Sequence, residues 1–389
     1  MKTGQTLTIA KLGSSVTIAY ASSYYLPAIL AKGMAQSLGL GVSTVFLAFS
    51  AALVVSALLG PFAGRLVDLY GGRKVLAGNS LVFAAGLCAL AAAQGPVSLF
   101  AAWSLIGVAM AAGFYEAAFS TLVRFYGSGA RSAITGITLI AGFASTIGWP
   151  LTAWLDLKYG WRTACLVWAA IHLLIALPLN LALPADDAVT VPAPSEPGAT
   201  LVAPAPAKAV PVSTAYLLAF VFGVTWFIST AMAAHLPGLL QVNGVGLASA
   251  IFFASFLGPA QVAGRLLEYS LLRSVSPLFS ARIASLAHPL GALLFLAMGV
   301  PAGLVFTILH GAGNGVMTIA NGTLPLIFFG PAGYGARQGV LMMPARFAQA
   351  LAPFFFGLAI EHWGASALWF SMGLGLAVFG ALVVLRVRR

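Results

Sequence analysis

Charge is what this chain has least of. Of its 389 residues, 19 are Lys or Arg and 8 are Asp or Glu, so charged residues make up 7%. A soluble domain carries about 25% charged residues, because polar groups must cover its surface. So little charge, beside 60% hydrophobic residues and a mean hydropathy of +0.99, excludes a soluble fold and points to a helical protein of the lipid bilayer. Cysteine is almost as scarce. Cys88 and Cys165 lie in apolar runs without CxxC or Cys/His spacing and read as small buried hydrophobes, not as a disulfide or thiolate metal site. No Walker loop, ATP-binding motif or HExxH pattern occurs. The stretch "GAGNG" at 311–315 lacks the GxGxxG spacing and follows no strand, so its glycines read as permitting close helix packing. No cofactor, no metal and no enzymatic centre is expected, and energy for any work must come from an ion or solute gradient.

What is present is a succession of apolar runs. They reach roughly 20 residues, the length that crosses the hydrocarbon core as a helix, whereas a membrane barrel needs alternating strands of roughly 10. Twelve spans are expected, over roughly 8–31, 42–64, 75–94, 97–123, 132–154, 163–183, 213–235, 246–267, 276–298, 301–328, 338–360 and 365–385. No cleavage site convincingly follows the first run, so it reads as a retained span and not a signal peptide. The net charge of +11 does not indicate a nucleic-acid partner, because the basic residues are scattered at the ends of these runs. They alternate. Lys2 and Lys11, Arg65, Arg73 and Lys74, Arg124 and Arg131, Lys208, Arg265 and Arg273, Arg337, and the C-terminal arginines fall in one set of connections. Lys32, Lys158 and Arg162 fall in the other. By the positive-inside rule the richer set is cytoplasmic, both termini are inside, and an even number of spans follows. A Pro/Ala-rich segment, 184–212, has no helical period and reads as an extended linker. It separates a six-span half, 1–183, from a second, 213–389.

The halves repeat weakly. "GRLVD" at 64 is matched by "GRLLE" at 264, "YGSGAR" ending at Arg131 by "AGYGAR" ending at Arg337, and "LDLKYGW" near 155 by "AIEHWGA" near 359. Three matches in order, offset by roughly 200 to 206 residues, indicate duplication. The loop "GRLVDLYGGRKVL" between the second and third spans resembles the signature loop of the major facilitator superfamily. Gly64, Leu66, Asp68, Gly71, Arg73 and Lys74 fit its pattern, while Leu69 replaces a usual basic residue and Gly72 shifts the basic pair. The phrase "YGWR" at 159–162 is similar to the monocarboxylate-transporter-like branch. The resemblance implies an all-α membrane protein of twelve helices in two pseudo-symmetric halves, a secondary transporter working by alternating access. It also implies a gate that closes when Asp68 bonds helix N-terminal amides and a nearby arginine, Arg131 or Arg73. Gly64, Gly71 and Lys74 belong to that gate, and Arg265 and Glu268 to its unequal copy in the second half. The arginine and the full Gly-Pro signature usual in drug/proton antiporters are missing from the fourth and fifth spans.

Charges at span depth are functional candidates by default. Glu116 in the fourth span and Arg346 in the eleventh lie at similar depth. Glu116 is a candidate coupling proton site and Arg346 a candidate anchor for an anionic substrate, and a structural pairing of the two is the alternative. By resemblance the first, fourth, seventh and tenth spans line a central cavity, which makes Tyr20, Tyr24, Tyr25, Trp226, His235, His310, Asn314 and Asn321 candidates. His310, Asn314 and Asn321 share one stripe by their spacing, and Gln349 shares the face of Arg346. His172 and His288 fall in spans outside that cavity and read as structural. The expected function is transport of a small organic solute, aromatic, vitamin-like or weakly anionic, across a bacterial inner membrane by a monomer coupled to protons or another ion. Drug or metalloid efflux on the same fold, and a membrane receptor or sensor, are the alternatives.

Overall fold

The computed structural model describes residues 3–126, 130–184, 212–268, 270, 275–329 and 334–386. The side chains of Asp68, Glu116, Arg131 and Arg337, and the linker from 185 to 211, lie outside the described residues. All regular structure among the described residues is helical. Ten stretches are long and apolar enough to cross a membrane, and two features reconcile them with twelve crossings. The last stretch, Leu341–Val384, is 44 residues long, about twice the length of a single crossing. It turns back at Gly364, whose φ of 55° is a conformation that favours glycine. The first crossing is interrupted: helix Thr3–Ala19 leads into a π turn, Tyr20–Tyr24, and then helix Pro27–Leu38.

The crossings run antiparallel in chain order. Connections at Gly39, Ala92, Gly160, Gly244, Gly299 and Gly364 fall at one end of the bundle, and Gly71 falls at the other. Gly71 ends the helix Val42–Tyr70 and opens the helix Gly72–Ala91 with φ 82° and ψ 150°, so the signature loop is a one-residue reversal and not an extended segment. Gly72 follows because the chain doubles back onto the fourth span: a Cβ there would overlap the Thr121 side chain.

Without a hydrophobic effect between helices in lipid, membrane helices associate through close backbone approach and polar contacts. The same contact occurs in both halves with its partners exchanged. A Cβ on Gly107 in the fourth crossing would stand 2.9 Å from Ala52 Cα in the second, and one on Gly264 in the eighth would stand 2.9 Å from Ala312 Cα in the tenth. Large rings fill what remains, with Phe49, Trp103 and Trp168 in one half and Phe295, Phe306 and Phe356 in the other.

Four crossings are broken beside the central space, and the sixth carries a further π turn, His172–Ala176, away from it. Besides the π turn in the first, the fourth breaks at Phe114 between helices Pro96–Gly113 and Tyr115–Tyr126. The fifth breaks between Ala130–Ala141 and Ala144–Tyr159, and the eighth at Phe256. In a bilayer such breaks persist only where protein or water satisfies the freed backbone groups. All four lie beside the same central space.

Candidate functional site

A cavity of about 300 Å³ lies at the centre, between the halves. The first, second, fourth, fifth, seventh, eighth, tenth and eleventh crossings line it, and the other four contribute no lining residue among those described.

The first half supplies an aromatic wall. The π turn places Tyr20 and Tyr24 on the cavity, and the extended backbone of Phe114 (φ −94°, ψ −168°) swings that ring toward them. Tyr20 and Phe114 stack with centroids 4.0 Å apart and planes 7° from parallel. Tyr24 meets Phe114 edge-on at 6.2 Å, and Tyr115 stacks on Phe119 at 5.3 Å. The Trp149 Nε1–H donates to the Tyr25 carbonyl at 3.1 Å, satisfying an acceptor just beyond the π turn.

The second half supplies donors. Arg265, Arg346, Gln261, Gln349 and Asn314 line that side. Arg265 Nη1 donates to the Thr138 carbonyl of the fifth crossing at 2.9 Å, while its Nε is buried without a hydrogen-bond partner. Trp226 also lines the cavity, and its indole Nε1–H is likewise buried and unpartnered. Buried donors without acceptors are rare and costly. The Arg346 guanidinium reaches across to the second crossing, where a Cβ on Gly60 would stand 3.2 Å from its Nη1. No acidic side chain is among the described lining residues.

Toward the end that carries Gly39 and Gly244, the halves are joined. The Tyr24 and Thr230 hydroxyls are 2.7 Å apart, the Phe46 and His235 rings 3.9 Å, and the Ser43 N–H donates to Glu361 Oε1 at 3.1 Å. His235 Nε2 is also 2.7 Å from the Pro353 carbonyl, tying the seventh crossing to the eleventh. Deeper, Gly258 of the eighth crossing meets the Gly142 carbonyl and Thr146 of the fifth so closely that a side chain would not fit.

Of the residues marked from the sequence, Tyr20, Tyr24, Tyr25, Trp226, Asn314, Arg346 and Gln349 line the cavity. His310 and Asn321 do not. The cavity touches the tenth crossing only over Asn314 and Thr318, so residues on the same stripe one or two turns away lie beyond its depth, and His310 is packed against His288. His235 is a contact between the halves. Arg265, expected in a gate, bridges the halves and lines the cavity at once. Glu268, just past the eighth crossing, is partly buried, and that burial raises its carboxyl pKa. Arg73 is half-buried and Lys74 exposed, and Gly64 has open space where a side chain would go. The sequence reading missed Phe114 and Gln261. Gly113 and Glu116 punctuate the fourth run, but neither specifies the break that turns Phe114 inward, whereas Gln261, four residues before Arg265, shares its helical face.

An all-helical bundle with broken crossings around a central cavity of mixed aromatic and cationic walls has the architecture of a membrane carrier. The sequence profile of the Major Facilitator Superfamily matches residues 12–300, and the chain belongs to that family of membrane transporters. It is 28% identical over 359 residues, 92% of this chain and 90% of its relative, to an uncharacterized 38 kDa protein in the 23S RNA operon of Thermoproteus tenax. Among solved structures it resembles the nucleoside transporter NupG, with a TM-score of 0.72, 14% identity, 97% of this chain and 100% of that one covered. It also resembles a D-xylose-proton symporter, with a TM-score of 0.73, 12% identity, and 99% and 98% covered. A bacterial homolog of the human lysosomal transporter Spinster, in an inward-facing and occupied conformation, has a TM-score of 0.66, 16% identity, and 98% and 95% covered. At these identities the likeness is one of fold.

Proposed function

We propose that this carrier moves a small aromatic acid, a planar ring bearing a carboxylate or equivalent anion, through the central cavity by alternating access. The observation that carries the reading is the division of the cavity. One wall offers stacked rings (Tyr20, Phe114), and the facing wall offers two arginines and the unpartnered Trp226 Nε1–H. Rings pair with a planar π-system in offset or edge geometry. A guanidinium matches a carboxylate with two parallel hydrogen bonds. A sugar would call for acceptors and donors on both walls.

The joined end, with Tyr24–Thr230 and Ser43–Glu361, is the exterior end by the charge alternation of the connections. Transport then requires those contacts to part while the halves close at the Gly71 end, where Asp68, Arg73, Lys74 and Arg131 form the latch. The membrane is a bacterial inner membrane with both termini inside, the carrier is a monomer built of halves 1–183 and 213–389, and movement is coupled to protons.

The test is a stability screen of the purified protein with benzoate, nicotinate, benzamide and nicotinamide, followed by proteoliposome uptake of any ligand that binds. Ligands that bind the native state raise its apparent stability. The acids are expected to stabilise and the amides not to. Stabilisation by neutral sugars or organic cations, with none by the acids, would overturn the reading.

A further inference from the structure

A second polar site lies outside the central cavity, in the second half. His288, on the helix Pro277–Met298, and His310, on the helix Gly303–Phe329, face each other with Nδ1 atoms 3.0 Å apart. Their rings are 72° from parallel. Both side chains are buried, and neither Nε2 has a partner in hydrogen-bonding geometry. A cavity of about 40 Å³ adjoins them, large enough for a water molecule, which needs on the order of 15 Å³. Thr225, Ser285 and Asn314 supply polar groups to that cavity, and Asn314 also lines the central one.

We propose that the His288–His310 pair is a binding site for a single proton, connected to the central cavity through Asn314. A neutral imidazole carries one N–H, so an Nδ1···Nδ1 hydrogen bond requires opposite tautomers. One ring therefore donates its Nδ1–H to the other's Nδ1, and the donor ring's Nε2 is a bare lone pair. An incoming proton binds there. It turns the donor ring into an imidazolium, keeps the bond between the rings and makes it charge-assisted. A second proton would set two N–H groups against each other, so the pair takes one proton and titrates as a unit. A water beside Ser285 and Asn314 delivers the proton from the central cavity and receives it back.

The surroundings suit that role. From the seventh, ninth and twelfth crossings the pair is faced by Thr225, Ile228, Ala284, Ser285, Gly375 and Val378, and Phe306 packs on both rings. None is charged or titrates as an acid or amine, and no metal-ligating group of three or more occurs among the described residues. Gly264 of the eighth crossing packs directly on Ala312, between His310 and Asn314, so the helix that carries His310 is held against a crossing that lines the central cavity. Use of the pair in symport rests on the proposed function, whereas the proton chemistry does not.

The experiment is nitrogen NMR of full-length protein labelled at histidine, in detergent, titrated between about pH 4 and pH 8. The chain has five histidines, and His288→Gln and His310→Gln identify the two signals. In wild type one ring is expected as the Nδ1–H tautomer and its partner as Nε2–H, with one proton taken up by the pair. Two rings of the same tautomer, two independent protonations, or no uptake across the range would each overturn the proposal. Neither variant is needed for that result, since the wild-type signals carry it. Asn314→Leu should slow exchange of the ring protons with water about tenfold by removing the polar group shared by the two cavities, and unchanged exchange would overturn the connection. Failure of every aromatic acid to bind overturns the proposed function and leaves these titrations standing.

Discussion

The two walls of the central cavity are built by opposite means. On the first half, the first, fourth and fifth crossings are interrupted at the cavity, and the side chains they present are mostly rings: Tyr20, Tyr24, Phe114 and Tyr115. Of the second-half crossings at the cavity, the eighth breaks at Phe256, while the seventh, tenth and eleventh run unbroken as helices of 31, 27 and 30 residues. Their side chains are donors: Trp226, Asn314, Arg346 and Gln349. A broken helix re-aims side chains within a turn and leaves backbone groups that need partners, such as the Tyr25 carbonyl. An unbroken helix holds a charged side chain at a fixed depth while the half moves as a body. The first half is therefore suited to adapt around an apolar ring, and the second to hold the charged end of a solute and carry the associated proton.

The comparison breaks most severely at Arg346. Arg346→Gln should lower kcat/KM for an aromatic acid about 100-fold, the scale of losing a charge-assisted contact in a site shielded from water. It should leave the weak uptake of the corresponding amide within about twofold. Equal losses for acid and amide in proteoliposome uptake would show that Arg346 shapes the cavity instead of reading the anion.

Next in size is the contact between the walls. Gly258→Val places a side chain against the Gly142 carbonyl and Thr146, where none fits. Overpacking of this kind costs about 1–3 kcal/mol, so transport should fall roughly 5- to 150-fold. Spin-label distances between the fifth and eighth crossings should lengthen. Unaltered distances with normal transport would mean that this contact is not part of the cycle.

A smaller effect is expected on the aromatic wall. Tyr20→Leu removes the ring stacked on Phe114, worth about 0.5–1.5 kcal/mol beyond its area, and should raise KM for an aromatic acid about fivefold. The KM of an aliphatic acid of similar size should not move, and parallel changes for both would argue against stacking of the solute. Smallest is Tyr24→Phe, which deletes the bond to Thr230 at the joined end. About 1 kcal/mol shifts the population of that arrangement about fivefold. Labelling of Ser43→Cys by an impermeant maleimide, in a chain lacking Cys88 and Cys165, should accelerate by that factor, and an unchanged rate would remove Tyr24 from the closure.

Much of this was legible in the chain itself. The twelve crossings follow from run length and charge scarcity. The structure differs mainly at the first crossing, where the helix continues past Lys32 to Leu38, and at the signature loop, which shrinks to Gly71. Tyr20, Tyr24, Trp226, Arg346 and Gln349 stand out because polar or amphipathic groups at membrane depth are uncommon. The stripe of His310, Asn314 and Asn321 was visible as a stripe, but not that His310 meets the small cavity, Asn314 both cavities and Asn321 neither. Helical spacing specifies direction around the axis, and neighbours specify what each turn along the axis meets. His288 carried no signal that it faced His310, since their pairing depends on how the ninth crossing packs on the tenth.

What the sequence determined by itself is therefore the solvent and the architecture. A chain with 7% charge and runs of this length is stable only with its backbone hydrogen-bonded within helices in a bilayer. The placement of basic residues orders the connections, and the repeated "GRLVD" and "GRLLE" mark two related halves. Only the tertiary structure decided which polar groups share a space. Arg265 and Thr138, Tyr24 and Thr230, and His288 and His310 are brought together by backbone contact at small residues such as Gly258, Gly264 and Gly107. Those contacts depend on the fit of two surfaces, and neither surface is written in the local pattern of either helix alone.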